Sequence, residues 1–225
     1  MASFSEWFKA AHERNIPLES ALPIDLPRDL ERLNSSGLPT YDCQIISGES
    51  YVRNKQRVKD FCEKHNRVWT RVYNKMDRNE RYSRFDLRGY KNVADFVEGL
   101  DINLKKFDIQ LFEFHTNQFG GNILTNSEGT KIEIAEGTQD IVGKCLGPFF
   151  SGWISPFGTL EFSQSDSPEK VRSTAWRVLQ QVKMAKGEYV PGYFEFIVSD
   201  KGKVYFLDYK TDLKFNWNLN ISKSF

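Results

Sequence analysis

The chain has 225 residues, of which 40% are hydrophobic, 14% aromatic and 27% charged, a composition typical of a folded globular protein. Its 31 basic and 30 acidic side chains leave a formal charge of +1, which argues against a nucleic acid or an anionic membrane held by bulk electrostatics. No run approaches the roughly 18 consecutive apolar residues of a membrane-spanning helix, and the cysteines show no CxxC spacing. We therefore expect a cytoplasmic protein with no membrane partner.

The first half of the chain alternates helix and strand signals. Apolar residues at helical spacing followed by prolines predict a helical extension over residues 1–30, and a second helix is predicted to end at Gly37. Further elements follow from β-branched, aromatic and helically spaced apolar residues: strands over 41–47, 68–73 and 84–88, and helices over 49–65 and 93–100.

From about residue 107 the helix signals give way to strands separated by glycine-containing turns. The predicted elements are strands over 107–114, 121–125 and 130–135, a long helix over 168–186, and a final hairpin of strands 193–198 and 203–209. This change predicts an α/β (α+β) fold with mixed or antiparallel sheets. We expect two lobes, residues 1–106 and 107–225, with a cleft between them.

Carboxylates interrupt three of the apolar strands, at Glu133, Glu195 and Asp208. Alternation along a half-buried strand would by itself point such side chains to solvent. Glu195 and Asp208, however, flank a turn centred near residues 200–201 at almost equal distances, which predicts that they are near cross-strand neighbours. Like charges opposite each other destabilise a sheet unless a cation lies between them, and Mg²⁺ prefers carboxylate oxygens. These two residues are candidate metal ligands.

A basic residue lies inside the apolar strand VWTRVY. Arg71 is either an outward-facing strand residue or a clamp for phosphate, since its planar guanidinium is always charged. The residues by themselves leave both interpretations open.

Six segments, in the same order over about residues 35–210, resemble the ATP-grasp nucleotide-binding domain of phosphoenolpyruvate synthase and pyruvate phosphate dikinase. They are SSGLPTYDCQIISGESY, VWTRVY, FDLRGYKNVADFVEGL, FDIQLFEFHTNQFGGNILTN, KIEIAEGTQDIVGK and YFEFIVSDKGKVYFLDYK. The second, for example, is similar to the VAVRSS strand of that family. The resemblance implies a two-lobed ATP-grasp fold that binds ATP and Mg²⁺ in the cleft.

The resemblance also implies roles for individual residues. Arg71 would contact the ATP phosphates, and Lys210 would act on the phosphate being transferred. Glu195 and Asp208 would hold Mg²⁺–ATP. The implied cofactor-binding residues are Glu133 and the strand residues Gln110, Leu111, Phe112 and Glu113, whose backbone would face adenine.

The sequence departs from the family pattern at several of these positions. Val72 and Tyr73 replace the serines after the phosphate-binding arginine, Asp208 replaces a glutamine and Lys210 replaces an arginine. The lysine of the family's GGKAANL motif aligns near Leu26 and is missing, so Arg28, Lys55 or Lys59 would have to replace it. The 225 residues contain neither the phosphohistidine domain nor the barrel of a complete phosphoenolpyruvate synthase.

Two functional hypotheses follow. The first is an ATP-dependent phosphotransferase or ligase acting on an unknown acceptor, either a small molecule or a partner protein. The second is a degenerate, non-catalytic module that binds nucleotide or another protein. A single-stranded nucleic acid is disfavoured as a partner, because the basic run at 53–59 is more typical of a solvated helix face. The retention of Arg71, Glu195 and Asp208 favours the enzyme.

Overall fold

Two antiparallel sheets organise the chain, and each belongs to a separate unit of the fold. A computed structural model describes residues 32–77, 80–126, 129–138, 147–155, 157–183 and 188–210. The four-stranded unit spans Tyr41–Thr116, and the six-stranded unit takes in those described residues that lie between 32 and Thr40 and between Asn117 and 210. Each unit has its own hydrophobic core.

The four-stranded unit carries helices on one face of its sheet. Its elements are β1 Cys43–Ser47, α1 Gly48–Arg53, α2 Gln56–Lys64, β2 Arg67–Asn74, β3 Arg81–Arg88, α3 Gly89–Glu98 and β4 Phe107–Glu113. The strand order is β1-β4-β2-β3, with every pairing antiparallel. Alternate residues of β2 and β4, such as Val72 and Ile109, share a buried cluster with Val58 of α2 and Val93 of α3. Side-chain alternation therefore directs the residues between them to the opposite face.

The six-stranded unit packs one long helix against its sheet. Its elements are β5 Asn117–Asn126, β6 Gly129–Glu136, β7 Phe150–Ile154, β8 Leu160–Phe162, α4 Glu169–Gln181, β9 Gly192–Ser199 and β10 Val204–Lys210, in strand order β10-β9-β5-β6-β7-β8. Residues 32–36 are helical and stop at Gly37, whose φ of 70° suits glycine. The next residues reach the sheet, because the Phe206 N–H donates to the Pro39 carbonyl at 2.8 Å.

The predicted α+β fold with antiparallel sheets is confirmed, but the units divide at a different place. The prediction put the boundary after residue 106, whereas the four-stranded unit runs to Thr116. The reason is that β4 pairs with β1 on one side and β2 on the other, which joins residues 107–113 to the preceding part of the chain.

Other elements also differ from the sequence prediction. β7 and β8 were not predicted, and α4 ends at Gln181 rather than 186 because the chain turns there to pair Lys183 with Tyr189. The predicted extension over 1–30 lies outside the described residues. Within the described ranges, none of the helices has the length and apolar content needed to cross a lipid bilayer.

Candidate functional site

The hairpin of β9 and β10 places the two predicted metal ligands opposite each other. Phe206 pairs with Phe196, and the next ladder pair is Asp208 with Glu195, so Leu207 is an extra residue in β10. This bulge shifts the alternation of β10 by one position. Without it Asp208 would share the core face with Phe206; with it, Asp208 lies on the face of Glu195. The prediction that the two carboxylates are cross-strand neighbours is confirmed.

The same pairing continues across the next two strands. Glu195 pairs with Asn122 of β5, and Asn122 pairs with Glu133 of β6. Directly paired side chains lie on one face of a sheet, with Cβ atoms about 4.5–5.5 Å apart. Glu133, Asn122, Glu195 and Asp208 thus form a line across four strands, which we call the polar row. The opposite face carries core residues that cluster with α4: Ile123, Ile132, Ile134, Phe194, Phe196 and Phe206.

A glycine beside the polar row keeps β5 and β6 close together. A Cβ on Gly121 would lie 2.0 Å from the carbonyl oxygen of Glu133 and 2.9 Å from the ring of Phe196. Any side chain here would push β6 and its glutamate away from β5. The glycine therefore serves the geometry of the row.

Two residues on the face of the polar row contact its carboxylates. Lys210 Nζ lies 3.0 Å from Asp208 Oδ2, and these side chains are 11% and 19% exposed. The Tyr193 hydroxyl donates to Glu195 Oε1 at 3.0 Å. Burial raises the pKa of Tyr193 well above its usual value, and the charges of Glu195, Asp208 and Glu133 raise it further. The phenol therefore stays protonated as a donor, and Lys210 lies beside Asp208 as the sequence predicts.

Three buried side-chain atoms of the row have no hydrogen-bond partner within the described part of the chain. Asn122 is 4% exposed, yet neither its Oδ1 nor its Nδ2 is paired, and Asp208 Oδ1 is also unpaired. An unsatisfied buried polar group costs about 1–3 kcal/mol. Such groups are rare in native proteins and call for an explanation such as a bound ion.

Apolar residues border the polar row on one side. Ala135, Ile197 and Tyr205 occupy the next paired positions on the same face, and they are 0%, 1% and 4% exposed. Low local polarity strengthens any charge interaction made beside them. A cation at the polar row would therefore be held more strongly than one at a solvated surface.

The oxygen atoms of the polar row suit a hard divalent cation such as Mg²⁺. No three His, Cys, Asp or Glu side chains of the described ranges form a group that could hold a metal ion. The three carboxylates are spread over β6, β9 and β10. A cation bound there would complete its shell with an amide oxygen, water or phosphate oxygens, as Mg²⁺ commonly does.

Arg71 lies in the four-stranded unit, on the sheet face away from the core cluster. It pairs with Gln110 of β4 and Ser83 of β3, and its guanidinium carbon lies 4.6 Å from the centre of the Trp69 ring. Stacking on an aromatic face orients a planar guanidinium. The arginine is therefore held in a defined direction, and its contact with phosphate stays a prediction.

The strand predicted to present its backbone to adenine lies inside the four-stranded sheet. β4 is an inner strand, and residues 110–112 are paired with β1 on one side and β2 on the other. Leu111 is 0% exposed and belongs to the core cluster of this unit. The backbone of residues 110–112 is therefore engaged within the sheet, and the contact of residues 110–113 with adenine stays a prediction.

The other residues of this strand have defined contacts of their own. Gln110 Nε2 donates to Cys43 Sγ at 3.7 Å, while its buried Oε1 has no partner among the residues that the structure describes. Phe112 stacks on Trp69 with 4.5 Å between ring centres, and Glu113 Oε1 lies 2.9 Å from His115 Nε2. The side chains of Gln110 and Phe112 share the sheet face of Arg71 and can still take part in binding.

The candidate residues therefore form two sets in separate units. Glu133, Glu195, Asp208 and Lys210 share one face of the six-stranded sheet, while Arg71 and the 110–113 strand belong to the four-stranded unit. Sequence reasoning missed Asn122 and Tyr193. The sequence did contain a signal for Asn122. Asn122 and Glu133 lie at nearly equal distances from the predicted turn at 127–129, just as Glu195 and Asp208 do from the turn near 200–201, and this spacing predicts a cross-strand pair.

No protein-family model matches the sequence, and no curated protein matches it significantly. The specific resemblance to phosphoenolpyruvate synthase and pyruvate phosphate dikinase therefore gains no support. Solved structures with a similar backbone fold exist, at low sequence identity. One is a Chryseobacterium gregarium RiPP-associated ATP-grasp ligase in complex with ADP and a leader and core peptide. It has 12% identity and a TM-score of 0.44 over 80% of this chain and 49% of that one.

Two further solved structures are similar at the same level. The ATP-grasp ligase PsnB, complexed with precursor peptide PsnA2 and AMPPNP, has 15% identity and a TM-score of 0.41 over 95% of this chain and 60% of its own. The macrocyclase MdnC from Microcystis aeruginosa, bound with precursor peptide MdnA, has 16% identity and a TM-score of 0.46 over 96% and 66%. The chain thus spans between about half and two thirds of the length of these proteins. Likeness at TM-scores below 0.5 does not assign a family or an activity to this chain.

Proposed function

We propose that this protein binds Mg²⁺–ATP at the polar row and is an ATP-dependent enzyme of the ATP-grasp type that activates an acceptor for ligation. The observation that carries the proposal is the direct pairing of Asp208, Glu195, Asn122 and Glu133 across four strands. A row of carboxylates that served only solubility would lie on a solvated face, whereas Glu133 is 4% exposed.

The electrostatics of the row favour a bound cation. Two carboxylates about 5 Å apart repel each other by about 3 kcal/mol at an effective dielectric constant of about 20. Lys210 offsets part of this repulsion at Asp208, which it approaches to 3.0 Å. A divalent cation between Glu195 and Asp208 would offset more, since it carries twice the charge and binds directly to oxygen.

The proposed chemistry is phosphoryl transfer from ATP. An acceptor oxygen, such as a carboxylate of a small molecule or of a partner protein, would attack the γ-phosphorus; the bond to the bridging oxygen would break and ADP would leave. A bound Mg²⁺ would supply charge neutralisation at the phosphates. Glu195 and Asp208 would hold the cation, with Glu133 beside them.

Two basic residues complete the proposal. Lys210 has three N–H donors, so its ammonium can maintain its contact with Asp208 and also donate to a phosphate oxygen. Arg71 is proposed as a further phosphate ligand on the strength of its fixed, charged guanidinium. The names of the structurally similar proteins agree with an ATP-dependent ligase, but the proposal rests on the polar row.

Thermal unfolding of the whole chain tests the proposal. Tm is measured in EDTA, with Mg²⁺ alone, and with Mg²⁺ plus ATP or its slowly hydrolysed analogue AMPPNP. A ligand at about 100 times its Kd adds about 2.7 kcal/mol, which is easily detected. Calorimetric titration gives the stoichiometry and the affinity. A Tm that does not respond to Mg²⁺–ATP at millimolar concentration would show that the proposed site does not bind nucleotide.

A further inference from the structure

Asn122 occupies the middle of the polar row, between Glu133 and Glu195. A buried asparagine with a structural role normally pairs its amide with backbone or side-chain groups. Asn122 is 4% exposed, and neither its Oδ1 nor its Nδ2 has a partner in the described part of the chain. Leucine has a similar size and would satisfy the same space without unpaired polar atoms. Folding alone therefore does not explain an asparagine at this position.

We infer that Asn122 is a ligand-binding residue of the site, whose Oδ1 binds the divalent cation and whose Nδ2 donates to a phosphate oxygen of the nucleotide. This inference rests on the proposed function and adds to it a residue with no carboxylate charge. An amide is suited to both tasks, because it offers one acceptor oxygen and two N–H donors side by side.

The positions of the neighbouring oxygens support this assignment. Glu195 lies directly between Asn122 and Asp208 in the row, and Asp208 Oδ1 is, like the two amide atoms of Asn122, buried without a partner among the described residues. Three oxygen-bearing side chains on adjacent strands can thus face one cation. A third carboxylate at position 122 would add to the repulsion within the row, while an amide supplies oxygen without charge.

Two substitutions separate the parts of this role. Asn122→Leu removes both polar atoms and keeps the approximate volume. Asn122→Asp keeps an oxygen ligand, loses the N–H donors and adds a charge. The matched control is Gln180→Leu on α4, which removes another amide whose buried Nε2 has no partner in the described ranges. Each variant is measured by Tm in EDTA and by calorimetric titration with Mn²⁺, with Mg²⁺ alone and with Mg²⁺–AMPPNP.

The expected result combines a gain in stability with a loss of binding. Asn122→Leu should raise Tm in EDTA by roughly 2–4 °C, because an unsatisfied polar group leaves the interior. It should weaken Mg²⁺–AMPPNP binding at least about tenfold. Asn122→Asp should lower Tm in EDTA but retain Mn²⁺ binding. The increase in affinity on adding the nucleotide should be smaller than in the wild type. Gln180→Leu should leave all affinities unchanged.

The opposite results have distinct meanings. Unchanged affinity in Asn122→Leu overturns the inference and leaves the proposed function standing. A fall of the Tm of Asn122→Leu in EDTA, together with loss of Mn²⁺ binding by Asn122→Asp, also overturns it, because the amide would then be structural. A wild type that binds neither Mn²⁺ nor Mg²⁺–AMPPNP overturns the proposed function and the inference together.

Discussion

Neutralising Glu195 should stabilise the protein in the absence of metal and abolish its response to Mg²⁺–ATP. Glu195 pairs directly with Asp208 on one side. On the other side, Asn122 separates it from Glu133. Glu195→Gln removes a repulsion with Asp208 of about 3 kcal/mol at an effective dielectric constant of about 20.

The same substitution weakens one favourable contact. The Tyr193 hydroxyl donates to Glu195 Oε1 at 3.0 Å, and a hydrogen bond to a neutral amide oxygen is weaker than one to a carboxylate by about 1 kcal/mol. The net expectation is a gain of about 1–2 kcal/mol in the free energy of unfolding without metal. The gain of about 2.7 kcal/mol expected for the wild type at 100 times the Kd of Mg²⁺–ATP should be lost.

Urea unfolding followed by tryptophan fluorescence measures both effects, in EDTA and with saturating Mg²⁺–ATP. Glu136→Gln is the matched control, since Glu136 ends the same strand as Glu133 but is exposed. Glu136→Gln should change neither the free energy of unfolding in EDTA nor the stabilisation by Mg²⁺–ATP. A Glu195→Gln protein that is less stable in EDTA and keeps its full response to Mg²⁺–ATP refutes the assignment of the row as a cation site.

Three further predictions concern single charged groups. Lys210→Met should lower stability in EDTA by about 1–3 kcal/mol because Asp208 loses a partly buried partner, and Mg²⁺ should restore more stability than in the wild type; equal urea midpoints would contradict this. Arg71→Ala should weaken ATP binding by about 1.5–3 kcal/mol in calorimetry, and unchanged affinity with an intact fold would return the arginine to a structural role. The Lys64 and His65 contacts lower the pKa of Asp42, so the stability that its carboxylate contributes is present above the unfolded value of about 4 and lost as pH falls through the lower folded value. Asp42→Asn should therefore be less stable than the wild type at pH 7, and in thermal melts this difference should shrink as the pH falls below the unfolded value and vanish below the lower folded one; a constant difference would exclude the ion pair as its source.

Local sequence determines much of this architecture. Period-two alternation and β-branched residues identify β2, β4, β6, β9 and β10, and Gly37 ends the preceding helix as predicted. Hairpins with short turns also reveal their own pairing, which is why Glu195 and Asp208 are recognisable as cross-strand neighbours from their distances to the turn. The position of Lys210 on the same sheet face as Asp208 follows from the same alternation. These inferences succeed because the interacting residues are close along the chain.

Tertiary structure decided the features that join distant segments. The bulge at Leu207 turns Asp208 from the core face to the face of Glu195, and alternation alone assigns it to the wrong side. The pairing of β5 with β9 joins Asn122 to Glu195 across about 70 residues of chain, and only the register of the whole sheet sets it. The inner position of β4 likewise depends on β1 and β2, which pair with it on either side. A pattern of residues specifies which faces are apolar, whereas the partner of each strand is chosen by the hydrogen bonds and core packing of the assembled sheet.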